Sequence, residues 1–334
     1  MILLTGGTGF IGSHIAVELL NNNKKIHILD NLSNSSVDVL KGIKKITGKD
    51  FIFDKVDLRN RDSLEKVFRD NSINAVIHLA GLKSVKKSNE NPSDYLSNNV
   101  EGTKNLIDAM QKAEVKKIVF SSSATVYGTP KSLPIKESCE VDKTSSFYGQ
   151  TKVMVENLLR ETYNNDKEWK ISVLRYFNPI GAHKSGFIGE NPKGIPDNLL
   201  PYIFQVATGD LESLKIFGDD YLTPDGTGIR DYIHVDDLAK GHIAALKYLE
   251  LENTISFFNL GTGKGYSVFD ILKTFKKVSG IDIPYQIVGR RSGDVAEIYS
   301  DVSLAKECLN WNAKKNIDEM IADGWNWQQN NKKN

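Results

Sequence analysis

Short runs rich in Val, Ile and Phe alternate along the first half of the chain with longer segments of helical periodicity. The runs are too short for buried helices and are flanked by turn residues, so they predict strands. Strand–helix–strand repetition implies parallel strands with right-handed crossovers, and therefore an α/β fold with a doubly wound parallel sheet. The predicted strands are residues 2–5, 25–30, 51–56, 75–79, 117–121 and 172–177, and the predicted helices are residues 11–20, 63–70, 92–111 and 148–163.

The periodic pattern loosens after about residue 178. A chain of 334 residues commonly forms about two domains, so we expect a first domain over residues 1–178 and a smaller C-terminal α/β domain over residues 179–334. A helix predicted at 235–250 and a strand predicted at 255–260 are expected to return to the first sheet. Residues 267–278 and 317–328 predict surface helices of the smaller domain.

Composition excludes several classes of function. The formal net charge is +1, so no overall field favours nucleic acid or an anionic membrane. No apolar run approaches the roughly 18 residues that cross a bilayer, and no basic segment precedes residues 2–6 as in a secretory signal. The two cysteines and six histidines show no metal-binding spacing. We expect a cytoplasmic protein without a metal site.

Three glycines, Gly6, Gly9 and Gly12, stand between the first predicted strand and the first predicted helix. Glycine permits the tight turn, the approach of backbone amides to a pyrophosphate and close packing of helix on strand. The helix N-terminus then supplies N–H donors to the anion. Asp30 ends the next strand, where a carboxylate accepts hydrogen bonds from a ribose diol and repels a 2′-phosphate. Together they predict a Rossmann-type site for NAD rather than NADP.

Tyr148 and Lys152 lie four residues apart at the start of a predicted helix, so their side chains share one face. A free tyrosine has a pKa near ~10, and we expect Lys152 and a positively charged nicotinamide ring to lower the pKa of Tyr148 enough for it to act as a base. The serine-rich stretch 121–128 ends a predicted parallel strand, where open α/β sheets bind ligands. A hydroxyl there is expected to hydrogen-bond a substrate oxygen beside the tyrosine.

The glycine triplet, the serine stretch and Tyr148-x-x-x-Lys152 resemble those of the extended short-chain dehydrogenase/reductases. Within that family, the chain is similar to the UDP-glucose (UDP-galactose) 4-epimerases through four further blocks, and the similarity extends over nearly its whole length. The blocks are Leu79-Ala80-Gly81-Leu82-Lys83-Ser84-Val85, Leu174-Arg175-Tyr176-Phe177-Asn178-Pro179, Gly226-Thr227-Gly228-Ile229-Arg230-Asp231-Tyr232-Ile233-His234-Val235 and Arg290-Arg291-Ser292-Gly293-Asp294.

The resemblance implies an isomerase that inverts C4 of a UDP-hexose through a transient 4-keto sugar, with tightly bound NAD, in a homodimer. It makes residues 1–178 the NAD-binding domain and residues 179–334 the UDP-sugar-binding domain, and it gives catalytic roles to Ser123, Tyr148 and Lys152. The implied NAD-binding residues are Gly6, Gly9, Phe10, Ile11, Gly12, Asp30, Asn31, Asp57, Leu58, Leu79, Ala80, Lys83, Asn98, Tyr148, Lys152 and Phe177. The implied UDP-sugar-binding residues are Ser123, Asn178, Asn198, Leu199, Arg230, Arg291, Asp294 and Ile298.

Arginine usage supports part of this set independently. The chain contains eight arginines and 35 lysines, so lysine is its ordinary cation. Only the planar guanidinium binds phosphate oxygens bidentately, which makes Arg230 and Arg291, both in predicted loops, candidates for a diphosphate site. Exposed surface cations are the alternative, and this alternative applies more to Arg290 than to Arg291.

Two departures from family patterns refine the predicted reaction. Relatives that dehydrate nucleotide sugars carry acidic residues after the serine stretch, where this chain has Ala124 and Thr125, so dehydration and decarboxylation are disfavoured. Glucose-selective bacterial epimerases carry a tyrosine at the position of Ile298. The smaller isoleucine leaves room near the sugar C2 substituent, so we expect some activity on UDP-GlcNAc and UDP-GalNAc.

Two other functions remain open at this point. The same Tyr–Lys pair serves a net sugar-nucleotide dehydrogenase, which would release stoichiometric NADH. A non-enzymatic NAD-sensing protein on the same fold is the second alternative, since a fold alone does not determine function. Such a protein has no need of Ser123, Tyr148 and Lys152, and their presence together favours an enzyme.

Overall fold

The computed structural model describes residues 1–141, 144, 146–192, 194–291 and 293–332. The strands within these ranges are β1 (Ile2–Thr5), β2 (Ile26–Asp30), β3 (Ile52–Lys55), β4 (Ala75–His78), β5 (Lys117–Ser123), β6 (Lys170–Tyr176), β7 (Asn178–Ile180), β8 (Leu214–Phe217), β9 (Ile229–His234), β10 (Ile255–Leu260), β11 (Gly265–Tyr266), β12 (Tyr285–Val288) and β13 (Glu297–Ile298). The α-helices are α1 (Phe10–Asn21), α2 (Asp38–Thr47), α3 (Arg61–Asp70), α4 (Val85–Glu90), α5 (Pro92–Tyr95), α6 (Gly102–Lys112), α7 (Phe147–Asn165), α8 (Leu199–Ala207), α9 (Val235–Leu251), α10 (Val268–Ser279), α11 (Ser303–Leu309) and α12 (Ile317–Asn331).

The main sheet joins seven of the described strands in the order β10-β6-β5-β4-β1-β2-β3, and every pair is parallel. The strand order reverses between β1 and β4, which makes their carboxyl ends the switch point where open α/β sheets bind ligands. The predicted doubly wound α/β class is confirmed. Residues 255–260 form the edge strand β10, paired with β6.

Two apolar layers cover the faces of this sheet. One layer joins α1, α2 and α9 to the sheet through buried residues such as Ile15, Ile43 and Leu246. The opposite layer joins α3, α6 and α7 through residues such as Leu64, Leu106 and Leu159. Strands that are buried on both faces are near-continuously apolar rather than alternating, as in β1 and β4.

The C-terminal part has two small sheets around its own apolar core. In the first, β9 pairs with β7, β11 and β13, and in the second β8 pairs with β12. The core packs α8, α10 and α12 against these strands through residues such as Phe204, Phe275 and Met320. The first of these sheets lies beside the carboxyl end of β6, because β7 follows β6 after a single residue.

One predicted helix differs from the structure. Residues 92–111 are not a continuous α-helix: α5 is followed by a π-helical turn over Leu96–Glu101 before α6 begins. Periodicity over a window of this length does not detect one inserted residue, because apolar spacing stays near three and four. Such π-turns frequently lie at functional sites, and this one contains Asn98.

Candidate active site

The loop between β1 and α1 depends on two glycines. Gly6 has a φ of +69°, and a Cβ on it would lie 2.7 Å from the backbone N of Ala80, next to Leu79. A Cβ on Gly12 would lie 2.2 Å from the carbonyl O of Gly6. Because a backbone atom cannot move aside as a flexible side chain does, only glycine lets α1 and β4 approach the loop this closely.

The N-terminus of α1 is open to an anion. Gly9 occupies the N-cap and has no side chain to cap the helix, and the first turn, which holds Phe10, Ile11 and Gly12, contains no acidic residue. A helix leaves its first N–H groups without partners inside the helix, and together with its dipole these groups attract a phosphate.

Asp30 ends β2 beside this loop, and its side chain is buried. Its carboxylate accepts hydrogen bonds from the backbone N of Thr8 (3.2 Å), the backbone N of Leu32 (2.9 Å) and Oγ of Ser35 (3.2 Å). A carboxylate offers about four acceptor positions, so the one that remains is available to a ribose hydroxyl. The three contacts hold the carboxylate against the glycine loop.

Replacement of Asp30 by Ala is expected to reduce the preference for NAD over NADP by about tenfold or more, because the charge that repels a 2′-phosphate is removed. Dissociation constants of both nucleotides, measured by calorimetry on cofactor-stripped protein, check this result. Asp50→Ala is the control, because the Asp50 side chain is 98% exposed and pairs with Lys44 on the surface. An unchanged NAD/NADP ratio in Asp30→Ala would remove the assignment of Asp30.

Other predicted cofactor residues border the same cleft. Asn31 Nδ2 donates to Asp57 Oδ2 (2.9 Å), and hydrogen bonds from Arg59 hold the pKa of Asp57 well below its usual range. Leu58, which follows Asp57, is buried in the apolar layer. Asn98 donates its side-chain amide to the carbonyl O of Asp94 (2.9 Å), and its role in NAD binding stays a prediction.

β5 and α7 bring the three predicted catalytic residues together. Ser123 is the last residue of β5, and Tyr148 and Lys152 lie on the first two turns of α7. Ser123 Oγ accepts hydrogen bonds from the backbone N (3.2 Å) and Oγ1 (3.0 Å) of Thr125, and its hydroxyl lowers the pKa of the nearby Tyr148. Lys152 Nζ donates to the carbonyl O of Ser121 (2.6 Å) and lies 5.8 Å from the centre of the Tyr148 ring.

The pKa of Tyr148 is raised by the protein surroundings alone. Burial raises the pKa of Tyr148 to about 12, and the Ser123 hydroxyl only partly opposes this. Lys152 is itself buried, its ammonium is bonded to Ser121, and burial lowers its pKa to about 8. The sequence prediction assigns the lowering of the Tyr148 pKa to Lys152 and a bound nicotinamide ring acting together, and this joint effect stays a prediction.

The guanidinium groups of Arg230, on β9, and Arg291 both lie next to the carboxylate of Asp294. Arg291 Nε donates to Asp294 Oδ2 (3.0 Å), and Arg230 Nη2 lies 4.0 Å from Asp294 Oδ1. The guanidinium of Arg291 also lies 4.6 Å from the centre of the Phe217 ring. Two guanidinium groups and one carboxylate leave a net positive charge, which suits a diphosphate.

Arg290 is oriented differently from Arg291. Its Nε donates to Asp220 Oδ1 (2.6 Å), and its guanidinium lies 4.1 Å from the centre of the Tyr221 ring. The structure therefore favours the surface-cation alternative for Arg290. Ser292, which belongs to the same family block, lies outside the described residues.

Two further predicted substrate residues, Asn178 and Ile298, lie in the small sheet that contains β9. Asn178 begins β7 opposite Tyr232, and Ile298 in β13 lies opposite Arg230. Ile298 also packs against the apolar cluster that contains Phe177 and Ala124, the residue after Ser123. The sheet register thus places Ile298 between the arginine cluster and the serine strand.

Glu190 connects the two predicted sites and was not found from the sequence. Its Oε1 accepts from Lys83 Nζ (2.8 Å) and from Asn198 Nδ2 (2.9 Å), and Leu199 follows Asn198 at the start of α8. Lys83 is 107 residues away from Glu190, so no local pattern reveals the pairing.

Phe217 is a second residue that sequence reasoning missed. It ends β8 directly before a Gly/Asp-rich loop and stacks under Arg291. An aromatic residue at a strand end next to such a loop was the available signal, and an aromatic face is a suitable surface for a nucleotide base.

The cleft fits a dinucleotide on structural grounds alone. The glycine loop packs closely against α1 and the chain after β4, α1 presents an uncapped N-terminus, and Asp30 stands where a ribose diol would be bound. No group of three or more His, Cys, Asp or Glu within the described ranges is arranged to hold a metal ion. In the same ranges, no helix combines the length and apolar character needed to span a membrane.

A match to a known protein family shows the class of protein to which this chain belongs. Residues 2–261 match the model of the NAD dependent epimerase/dehydratase family. The chain therefore belongs to this family, and the resemblance drawn from its motifs is confirmed.

Within this family, the chain is similar to several UDP-glucose 4-epimerases. The chain is 55% identical over 332 residues to a UDP-glucose 4-epimerase of Haemophilus influenzae, covering 99% of this chain and 98% of the relative. It superposes with a TM-score of 0.97 and 44% identity on a UDP-glucose-4-epimerase of Stenotrophomonas maltophila with bound NAD and formylated UDP-arabinopyranose, covering 99% and 98% of the two chains. A UDP-glucose 4-epimerase of Bifidobacterium longum in complex with NAD+ and UDP gives a TM-score of 0.96 and 49% identity, with coverage of 99% and 98%.

Proposed function

We propose that this chain is an isomerase that interconverts UDP-glucose and UDP-galactose by NAD-dependent epimerisation at C4. The observation that carries the proposal is the meeting of Tyr148 and Lys152 on α7 with the Ser121–Ser123 end of β5, together with the shared contact of Arg230 and Arg291 with Asp294. Full-length similarity to named 4-epimerases supports the same reaction.

The residues of the chain have separable tasks in this reaction. Tyr148 takes the proton of the sugar 4-hydroxyl and later returns a proton to the same oxygen, while the Ser123 hydroxyl hydrogen-bonds that oxygen. A bound nicotinamide would accept hydride from C4 as NAD⁺ and return it as NADH, so the sugar would pass through an oxidised 4-keto form and end at its original oxidation state. Lys152, which is bonded to Ser121, favours the phenolate of Tyr148 through its positive charge.

Inversion requires that the keto sugar presents its other face before hydride returns. Arg230 and Arg291 bind the diphosphate, and Phe217 offers a surface to the base, so the nucleotide stays in place while the hexose turns. Asn178, Asn198 and Leu199 complete the substrate side, and Ile298 borders the hexose.

We also propose the domain division, assembly and location that the sequence predicts. Residues 1–178, together with 235–260, bind NAD, and the rest of residues 179–334 bind the UDP-sugar; the pairing of β10 with β6 supports this division. A homodimer through residues 92–111 and 148–163 is supported by the exposed apolar side chains of Leu96 and Met154. A cytoplasmic location follows from the resemblance and from the free thiols of Cys139 and Cys308.

The reaction is tested with purified protein and each of UDP-Glc, UDP-Gal, UDP-GlcNAc and UDP-GalNAc, with products identified by NMR. We expect each hexose to reach an equilibrium mixture with its C4 epimer, without release of NADH. Stoichiometric NADH with an oxidised sugar would instead establish a dehydrogenase. The absence of any turnover, with NAD still bound, would support the NAD-sensing alternative.

Acceptance of N-acetylated sugars is the finer part of the proposal, and it depends on Ile298. We expect the chain to epimerise UDP-GalNAc with a kcat/KM within a thousandfold of that for UDP-Gal. Ile298→Tyr is expected to lower kcat/KM on UDP-GalNAc by about 100-fold relative to UDP-Gal, because the larger ring occupies the space of the C2 substituent.

The matched control is Ile298→Val, which keeps the position small and is expected to retain both activities. A preference of the wild type for UDP-Gal beyond a thousandfold would contradict relaxed selectivity. Equal losses on both sugars in Ile298→Tyr would show that Ile298 affects the cleft as a whole rather than the C2 pocket.

A further inference from the structure

A buried ion pair joins α7 to β6. Glu156 and Arg175 each have side chains that are 1% exposed, with Arg175 Nε 3.0 Å from Glu156 Oε1 and Nη2 2.7 Å from Oε2. The cost of removing two charges from water often exceeds their attraction, and apolar replacements are frequently as stable. Stability therefore does not account for the pair, and its other contacts indicate a different role.

Glu156 contacts the strand that carries Ser123. It lies one turn beyond Lys152 and two beyond Tyr148, so all three side chains share one face of α7. Ser122 Oγ donates to Glu156 Oε1 (2.7 Å), and Lys152 Nζ donates to the carbonyl O of Ser121 (2.6 Å). The two residues of β5 directly before Ser123 are thus each bonded to one residue of this face.

Arg175 contacts the chain on the other side of Ser123. Its Nη1 donates to Tyr127 Oη (3.0 Å), at the end of the 3₁₀ turn Ala124–Tyr127 that follows Ser123. Tyr127 Oη donates in turn to Asn259 Oδ1 in β10 (2.6 Å). One ion pair therefore holds both the residue before Ser123 and the turn after it.

We propose that Glu156 is a positioning residue for the C4 reaction: with Arg175, it fixes the segment from Ser122 to Tyr127, so that the hydroxyl of Ser123 stays in register with Tyr148 and Lys152. The inference rests on the proposed function for its activity readouts. Glu156 touches neither substrate nor cofactor and acts through Ser122 and Arg175. A misplacement of about 1 Å at a reacting group commonly costs about 100-fold in rate. Loss of the positioning contacts of Glu156 should therefore lower kcat measurably.

The electrostatic surroundings agree with this role. Glu156 raises the pKa of Lys152 against the effect of burial, which favours the ammonium. The titratable groups that face Tyr148 and Lys152 from neighbouring elements are Tyr95 on α5, Tyr176 on β6 and His78 on β4. Burial lowers the pKa of His78 to about 3, so His78 stays neutral at ordinary pH.

Two variants test the proposal. Ser122→Ala removes only the hydroxyl between Glu156 and β5 and leaves the ion pair intact. Glu156→Met/Arg175→Met replaces both charges by apolar side chains, which avoids the unpaired buried charge that a single substitution creates. The matched control is Ser172→Ala, since Ser172 is a buried serine on β6 whose hydroxyl has no hydrogen-bond partner in the described part of the chain.

We expect all three proteins to keep wild-type NAD content. In Ser122→Ala, kcat should fall about tenfold with KM nearly unchanged, and in the double variant kcat should fall about 100-fold. In Ser122→Ala the acidic limb of the kcat–pH profile should move to higher pH, because a displaced Ser123 no longer lowers the pKa of Tyr148. Wild-type kcat and pH profile in Ser122→Ala would overturn the proposal, whether or not the double variant folds.

Crystal structures of the wild type and Ser122→Ala give a readout that does not depend on turnover. We expect the Ser123 hydroxyl to be displaced from that of Tyr148 in the variant, and an unchanged position would contradict positioning by Glu156. A wild type that is inactive on every UDP-sugar would instead overturn the proposed function, so the two failures are distinguishable.

Discussion

Tyr148→Phe is expected to lower kcat by about a thousandfold, within the range of 10²- to 10⁴-fold that general acid–base groups typically contribute. The substitution removes the oxygen that receives the C4 hydroxyl proton and leaves the ring, which is only partly exposed. Since only the hydroxyl is lost and the packing of the ring is kept, the fold and the NAD content should be retained. Steady-state rates, circular dichroism and nucleotide content of the purified protein measure the three quantities.

The control for this result is Tyr163→Phe on the same helix. Tyr163 lies near the end of α7, 15 positions after Tyr148, where the Lys167 ammonium is 4.2 Å from its ring centre. We expect Tyr163→Phe to retain the wild-type rate. A near-normal rate in Tyr148→Phe would remove the assignment of the base.

Gly12→Ala is expected to abolish retention of NAD through purification. Its Cβ would lie 2.2 Å from the carbonyl O of Gly6 and 2.7 Å from the Cα of Gly7, so the loop and α1 must separate. Each hydrogen bond between a backbone N–H and a charged phosphate contributes about 1.5–3 kcal/mol, and displacement of the loop loses such bonds. Nucleotide released from the denatured protein, quantified by chromatography, measures the effect.

The matched glycine for this test is Gly289, which has no heavy atom within 4 Å of a Cβ added to it. Gly289→Ala is expected to keep full NAD content, which separates the close approach at Gly12 from a general cost of replacing glycine. Retention of NAD by Gly12→Ala would mean that the glycine loop does not bind the pyrophosphate.

Local sequence signals predicted the elements that hold the chemistry. The glycine spacing located the loop, alternation of strands and helices predicted the parallel sheet, and Asp30 was placed correctly at the end of β2. Each of these signals arises within about 30 residues of chain, so pattern and turn chemistry are sufficient to find it. The π-turn at Leu96–Glu101 was missed because its single extra residue leaves the apolar spacing nearly unchanged.

Long-range pairings were beyond the reach of the sequence. Glu190 bonds Lys83 across 107 positions, and Tyr127 bonds Asn259 across 132 positions, with no periodicity to connect them. The burial of Tyr148 was beyond reach for a related reason: the lysine four residues away is visible in the sequence, whereas the burial that raises the pKa of Tyr148 is not.

The amino-acid order by itself determined which groups are available: a glycine loop, an acid at the end of β2, and a serine, tyrosine and lysine with the spacing of one catalytic unit. Only the tertiary structure decided how these groups behave. Burial raises the pKa of Tyr148 to about 12, and the Glu156–Arg175 pair holds the chain on both sides of Ser123. The physical reason is that residue types and short spacings are local properties, whereas desolvation and the contacts of a buried charge depend on every element packed around them.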